Sequence, residues 1–398
     1  MSLGDTIQPE NSIPSGRREI LVLAVLLGIT AAAFAGVTAL VHRFRSWQGA
    51  LAAHTYARGQ QALAAGQPAR AVEEFRSTLH FNPDDRAARI SLAQALMTEN
   101  RLDEAEAYFR TVWERQPQDA TVNLQLARLA ARRGLMPDAL RYYHNAIYGI
   151  WDSNPVDNRI AARLELVNFL LQQNAPTQAQ AELIAMEPGL TPDAELYTKV
   201  AGLFMRVPDY RNAFSEYAQA LKIKHNNPAA AAGAGEAAFN LGRYRTAVLY
   251  LDAAMAKVPN DAQSRAMLDT SRLVLDIDPF LRHLSGLDRR DRILKAYRTA
   301  VDRLSACAKT QPPASAAAAT PAANNAAPAQ GLPALLTRAR QLKPAMTPGS
   351  LMKNPELPSA AMDFVFDVEE QTREVCGEPN GMDEALLLIG RNREGVER

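Results

Sequence analysis

Aromatic side chains are scarce in this chain, at 7% of the residues, although 47% of them are hydrophobic. The apolar content therefore comes largely from alanine and leucine, which suit closely packed helices. The sequence also lacks the alternating runs of valine, isoleucine and threonine that are typical of half-buried strands. These two absences predict an all-α protein.

An excess of either charge is missing as well. The chain carries 44 Lys and Arg residues against 43 Asp and Glu residues. Because nucleic-acid binding proteins attract phosphates with a surplus of basic side chains, this balance gives no reason to expect nucleic acid as a partner.

Motifs that carry catalysis are absent from the sequence. It has no G-x-x-x-x-G-K-[ST], G-x-G-x-x-G, H-E-x-x-H, C-x-x-C or G-x-S-x-G. The six histidines lie far apart. Four carboxylates that share one helix face, Asp363, Asp367, Glu370 and Glu374, have no histidine or nucleophile beside them, which favours a solvated face. We expect a protein that is not an enzyme and that holds no cofactor and no metal.

Cysteine occurs only twice, at Cys307 and Cys376. An even pair in an oxidising compartment is typical of a disulfide, which here would close a loop of about 70 residues. The alternative is two buried free thiols in a cytoplasmic protein.

One long uncharged run extends from Ile20 to Val41 between arginines on both sides, after a polar tail over 1–19. Its 22 residues would span about 33 Å as a helix, which is enough to cross a bilayer core. We interpret 20–41 as a signal anchor with the bulk of the chain in the periplasm or another compartment outside the cytoplasm. The arginines that flank the run do not decide the orientation, because two lie close to it on each side. A cleaved signal peptide, with an A-x-A site at residues 33–35, and a buried soluble helix are the alternatives.

A ladder of small residues organises the rest of the chain. Six alanines follow one another at intervals of 34, 34, 40, 34 and 34 residues, and a large apolar residue stands four positions after each. A second small column lies twelve positions before the first. The first column is Ala71, Ala105, Ala139, Ala179, Ala213 and Ala247; the large residues are Phe75, Phe109, Tyr143, Leu183, Tyr217 and Leu251; the second column is Gly59, Ala93, Ala127, Val167, Ala201 and Gly235.

Each period contains two amphipathic stretches with a polar break, such as Asn100 and Arg101 between residues 89–99 and 102–116. Two antiparallel helices approach closely where one of them offers a small side chain, so the pattern predicts stacked helical hairpins. The period and its columns resemble the tetratricopeptide repeat (TPR) family. The resemblance implies a superhelical solenoid of about six hairpins over 52–261, and we read the six extra residues 154–159 as a longer loop.

TPR proteins use the first helix of each hairpin to line a partner-binding groove, so the resemblance also implies a set of groove residues. We expect an apolar helix or an extended segment of a protein to bind there. For the apolar members, packing between repeats is an equal alternative. The predicted groove residues are Tyr56, Gln60, Leu63, Ile90, Gln94, Met97, Leu124, Arg128, Arg132, Asn168, Met205, Arg206, Glu236, Phe239 and Asn240.

The chain beyond the repeats divides by composition. Residues 262–309 are expected to form capping helices, 310–331 are an alanine- and proline-rich linker, and 332–398 form a small helical segment that docks on the cap. The whole pattern predicts a membrane-tethered scaffold or assembly factor that binds a partner protein in its groove. A permanent structural subunit of a membrane complex, and an unrecognised enzymatic or ligand site in 332–398, are the alternatives.

Overall fold

The computed structural model describes residues 15–310 and 331–396, with side chains from residue 19 to 393 within those ranges. The described residues are helical apart from the connecting loops, which confirms the all-α prediction. Residues 1–14 of the polar tail predicted over 1–19, and residues 311–330 of the linker predicted over 310–331, lie outside the described residues. Residues 15–19 of the predicted tail belong to helix α1. The division of the chain at 52, 261 and 309 stays a prediction.

The described residues form two compact units, with the boundary after Leu166. This boundary falls inside one helix, α7. Unit 1 contains α1 (Ser15–Ala64), α2 (Pro68–Phe81), α3 (Arg86–Thr98), α4 (Leu102–Arg115), α5 (Ala120–Arg132), α6 (Met136–Tyr148) and the first part of α7 (Pro155–Gln172). Unit 2 contains the rest of α7 and α8 (Pro176–Met186), α9 (Ala194–Arg206), α10 (Tyr210–Ile223), α11 (Pro228–Asn240), α12 (Tyr244–Met255), α13 (Ala262–Ile277), α14 (Gly286–Thr310), α15 (Leu332–Leu342), α16 (Pro348–Lys353), α17 (Leu357–Cys376) and α18 (Gly381–Val396).

The two small-residue columns lie inside the hairpins, where helices of a pair meet. All six alanines of the first column are completely buried. A Cβ added to Gly59 would lie 2.5 Å from Cε1 of Phe75, and one added to Gly235 would lie 2.6 Å from Cγ of Leu251. The second column is therefore small because the large residue of the partner helix occupies the space that a side chain would need.

Each of the six hairpins from α1–α2 to α11–α12 turns through one residue with a positive φ. This residue stands five positions before the column alanine, where a left-handed conformation ends the first helix. The positions and their φ angles are Gly66 (69°), Asn100 (61°), Gly134 (71°), Asn174 (55°), Pro208 (24°) and Gly242 (68°). Glycine and asparagine tolerate this conformation, whereas the proline ring opposes it.

The prediction of a loop over 154–159 is wrong. Helix α7 begins at Pro155, because proline is well suited to the first position of a helix, and the extra residues lengthen α7 at its start. The connection before it, 149–154, is held by Ile150: its N–H donates to the Gln118 carbonyl at 2.9 Å, and its own carbonyl accepts from the Ala120 N–H at 3.0 Å.

Helix α1 contains a segment that is long and apolar enough to cross a membrane, with a mean hydropathy of 2.6. Its large side chains before Val41, among them Leu27 and Phe34, are more than half exposed. Only from Ala52 onward does α1 bury side chains against the rest of unit 1. The same helix thus contains the apolar segment and the first helix of the first hairpin.

Residues 332–396 dock on the helices before them, as predicted. Leu304 of α14, Leu335 of α15, Phe364 of α17 and Leu386 of α18 belong to one buried apolar core. The Cys307–Cys376 disulfide joins α14 to α17 with a Cα–Cα distance of 5.9 Å. Because it closes a loop across 69 positions, it should stabilise this core by about 4 kcal/mol.

A buried cluster of charges lies beside that disulfide. Arg303 faces two carboxylates, with Nε 3.3 Å from Glu369 Oε2 and Nη1 3.5 Å from Asp383 Oδ2. Glu369 is completely buried, and neither of its oxygens has a hydrogen-bond partner among the described residues. Burial, together with the nearby Asp383, raises the pKa of Glu369 to about 8. At pH 7 the Arg303 guanidinium therefore faces a Glu369 carboxyl group that is mostly protonated.

The column geometry makes a first prediction. We expect Gly235→Ala to lower the free energy of unfolding by about 1–3 kcal/mol despite the higher helix propensity of alanine, because the methyl group overlaps Leu251. Gly202→Ala is the matched control: the added methyl would meet the Tyr217 hydroxyl at an ordinary 3.7 Å, so stability should be equal or higher. Chemical denaturation of both variants measures this, and equal behaviour would contradict the close approach.

The turn column makes a second prediction. A Cβ added at Gly66 meets no atom within 4 Å, so Gly66→Ala tests the positive φ alone, without a steric clash. This change should lower the free energy of unfolding by about 1 kcal/mol. Gly66→Asn should cost less, since asparagine occupies the same column at positions 100 and 174. Equal losses of stability in the two Gly66 variants would mean that the positive φ does not select the residue at this turn.

The buried carboxylate makes a third prediction, on pH. The folded state holds the Glu369 proton more tightly than the unfolded state, so the free energy of unfolding should fall as pH rises from 5 to 8 and level off above 9. Glu369→Gln should remove the contribution of this group to the slope and be more stable than the parent at pH 9 by about 2–4 kcal/mol. The slope that remains below pH 7 should come from groups such as Glu216, whose pKa burial raises to about 7. Exposed Glu374→Gln is the control and should keep the slope. A parent stability that rises over this range would refute the assignment.

Candidate functional site

The first helices of the unit 1 hairpins are linked to one another by polar side chains. On α1, Gln60 Nε2 donates to the Tyr56 hydroxyl and to Ser91 Oγ on α3, both at 3.0 Å. The Tyr56 and Ser91 hydroxyls lie 3.3 Å apart. Tyr56 also packs on Phe75, with ring centroids 5.6 Å apart, so the column residue fixes its position.

The next link joins α3 to α5. Nη1 of Arg132 donates to the Met97 carbonyl at 2.7 Å, which satisfies one of the last carbonyl groups of α3. Arg132 itself is exposed. Its guanidinium retains further N–H groups that can bind an acceptor on a ligand.

The third link joins α5 to the first part of α7. Nε of Arg128 donates to Glu165 Oε2 at 2.8 Å, and a second guanidinium N–H pairs with Oε1. The hydrogen bond to Glu165 raises the pKa of Arg128. Nearby Tyr143 is buried, and burial raises its pKa to about 12, so it stays neutral at physiological pH.

These links define the surface that we call the unit 1 inner face. It comprises Tyr56, Gln60, Gln94, Arg128, Arg132 and Glu165. Five of the six were predicted, whereas Glu165 was missed. The sequence contains a signal for the predicted row: Gln60, Gln94 and Arg128 are separated by 34 residues each, so the same helix face carries a polar side chain in successive repeats.

Three predicted groove residues lie in the interior of unit 1. The exposed fractions of Ile90, Met97 and Leu124 are 8%, 5% and 7%. They pack between helices and contribute only their edges to the surface, while Leu63 is half-buried. The inner face is therefore more polar than predicted, and hydrogen bonds rather than apolar contacts dominate it.

Unit 2 places its predicted residues on the equivalent helices. Arg206 on α9 donates to Asn168 Oδ1 at 3.3 Å, and Asn240 on α11 donates to the Glu236 carbonyl at 2.9 Å. Gln263 on α13 donates to Glu236 Oε1 at 3.4 Å. Burial, with Asp261 nearby, raises the pKa of Glu236.

The two remaining predicted residues of unit 2 are half-buried. Phe239 meets Tyr244 edge-on, with ring centroids 5.7 Å apart, and packs against the apolar core. Met205 lies on α9. Phe239 is thus a packing residue.

No cluster of three or more His, Cys, Asp or Glu side chains that could hold a metal occurs among residues 15–310 and 331–396. Most polar groups of the unit 1 inner face are amides, hydroxyls, guanidinium groups and carboxylates that are hydrogen-bonded to neighbours. Such surfaces can bind peptide groups and side chains by exchanging these bonds.

Comparison with known proteins gives one family match. Residues 62–129 match the tetratricopeptide repeat family. Among curated proteins, DnaJ homolog subfamily C member 3 of Mus musculus is 22% identical over 188 residues, which cover 43% of this chain and 36% of the mouse protein. The chain thus matches about a third of the length of that relative.

Solved structures also resemble parts of the chain. PilF of Pseudomonas aeruginosa has a TM-score of 0.39 and 17% identity, covering 55% of this chain and 96% of its own. The C-terminal part of a TPR repeat-containing protein from Cytophaga hutchinsonii has a TM-score of 0.42 and 12% identity, covering 60% of this chain and 92% of its own. At these values the task of neither protein transfers to this one. Residues 62–129 are therefore similar to tetratricopeptide repeats, and helical hairpins continue along the described chain beyond this match.

Proposed function

We propose that this chain is a membrane-tethered scaffold or assembly factor that holds a segment of a partner protein on the inner faces of its repeats. The observation that carries the proposal is the unit 1 inner face. Its polar row crosses the first helices of successive hairpins, and Gln60 and Arg132 within it are exposed.

The dimensions of this face favour a polypeptide ligand. Packed helices lie about 8–10 Å apart, so the row over α1, α3, α5 and α7 extends for about 25–30 Å. An extended chain of eight or nine residues covers that length at about 3.3 Å per residue. A compact small molecule would contact only one link of the row.

The chemistry of this face favours an extended segment with acceptor groups. The guanidinium of Arg132 keeps N–H donors beyond the one that binds the Met97 carbonyl. Both N–H groups of Gln60 already donate to Tyr56 and Ser91. We therefore propose an extended segment that carries carbonyl, carboxylate or hydroxyl acceptors, in place of the apolar helix that the sequence left open.

Two further features support the location. The exposed apolar segment of α1 is suited to a bilayer, and it lies in the same helix as the first hairpin. The Cys307–Cys376 disulfide is typical of an oxidising compartment. We propose that α1 anchors the chain and that its bulk lies outside the cytoplasm.

This proposal makes the fourth prediction. A photocrosslinking amino acid at Gln60 should give an adduct with a partner protein in native membranes, whereas the same residue at Thr111 on α4 should not, because Thr111 is exposed on a second helix. Gln60→Glu combined with Arg132→Glu should then weaken partner binding at least tenfold by repelling acceptor groups. Thr111→Glu is the matched control for adding an exposed acidic side chain.

The thermal unfolding of the double variant should match that of the parent, so that lost binding reports on the surface. Adducts that form equally at both positions would refute the inner face as the binding site. Sedimentation of the solubilised adduct separates two roles. A partner bound in fixed proportion within one large complex would indicate a permanent structural subunit, and a partner bound only during assembly would indicate an assembly factor.

A further inference from the structure

Helix α1 continues without a break from its apolar segment into the first hairpin. The uncharged run ends at Val41, and the first side chain that α1 buries against unit 1 is Ala52. Eleven residues of α-helix separate these two positions by about 16 Å. The first hairpin therefore stands a short distance from the end of the apolar segment.

The intervening residues 42–51, which we call the collar, combine aromatic and basic side chains. Phe44 and Trp47 are 55% and 56% exposed, and their ring centroids lie 6.1 Å apart. Arg43 and Arg45 flank Phe44 and are exposed. Residues 42–47 are all exposed, so this aromatic pair is not part of the packed interior of unit 1.

The charge of this region has one sign. Residues 20–72 contain no Asp and no Glu, so no acidic side chain lies near Arg43 and Arg45 in the sequence. Arg58, further along α1, is paired with Glu74 of α2. Exposing two aromatic rings to water on a soluble helix costs free energy. Aromatic rings next to basic side chains are instead typical of the boundary between acyl chains and head groups in a bilayer.

We propose that the collar is a lipid-binding surface, which inserts Phe44 and Trp47 at the head-group level and binds anionic lipid phosphates through Arg43 and Arg45. The inference rests on the proposed membrane anchor. Its consequence is positional: the first hairpin is held against the bilayer surface, and the unit 1 inner face meets partner segments that emerge from the membrane.

A fluorescence experiment on the full chain in vesicles of phosphatidylcholine and phosphatidylglycerol tests the proposal. Trp113→Phe and Trp151→Phe leave Trp47 as the single tryptophan. Its emission should be quenched at least twofold more by a lipid with a nitroxide near the head group than by one with a nitroxide at the chain end. Phe34→Trp in a chain that also carries Trp47→Phe is the deep control and should show the opposite order.

The charge contribution has its own variants. Arg43→Gln with Arg45→Gln should reduce the quenching of Trp47 in vesicles that contain phosphatidylglycerol and have little effect in phosphatidylcholine alone. Arg70→Gln, an exposed basic residue on α2, is the control and should change neither value. Quenching that is equal in both vesicle types for the parent chain would overturn the phosphate contacts.

Each remaining outcome separates the collar from the anchor. If lipid quenches Phe34→Trp while only aqueous acrylamide quenches Trp47, the anchor stands and the collar inference fails. If Trp47 is shielded from both quenchers, the aromatic pair packs against protein, which also overturns the proposal. If neither position is quenched by lipid, the proposed membrane anchor itself is wrong.

Discussion

The close approach of a small and a large side chain inside each hairpin is the constraint on which the rest of the structure depends. Where Gly59 meets Phe75 and Gly235 meets Leu251, no room remains even for a methyl group. Because this contact sets the distance between the two helices of a hairpin, it also sets which residues of the first helix stay exposed. The polar row of the unit 1 inner face is a consequence of that packing, since Tyr56 rests on the same Phe75.

The helices after the last hairpin cover the apolar face that the hairpin α11–α12 would otherwise expose. Helices α13 to α18 do so by forming one core, closed by the Cys307–Cys376 disulfide. The charges at its edge have an energetic cost, because Arg303 is shared between Glu369 and Asp383 and burial penalises both carboxylates. Stability of this region is thus linked to pH as well as to the oxidation of the two cysteines.

The proposed function depends on helix α1. One helix combines the apolar segment, the collar and the first hairpin, so the anchor and the proposed binding surface have a fixed relation within unit 1. A flexible tether would let a repeat domain search a large volume. If the proposed membrane anchor holds, a continuous helix instead favours partners that approach along the membrane surface.

The sequence by itself determined the helical class and the register of the hairpins, because small and large residues recur in it at a fixed period. It also contained the cysteine pair, since only two cysteines occur. It also contained the turn column at Gly66, Asn100 and Gly134, which we did not predict because glycine and asparagine in a polar break are easily taken for an ordinary loop. Only the tertiary structure decided the rest. It placed residues 155–159 in α7, buried Ile90, Met97 and Leu124 between helices, and brought Glu165 to Arg128, because burial and side-chain pairing depend on neighbours that lie about 35 residues away in the chain.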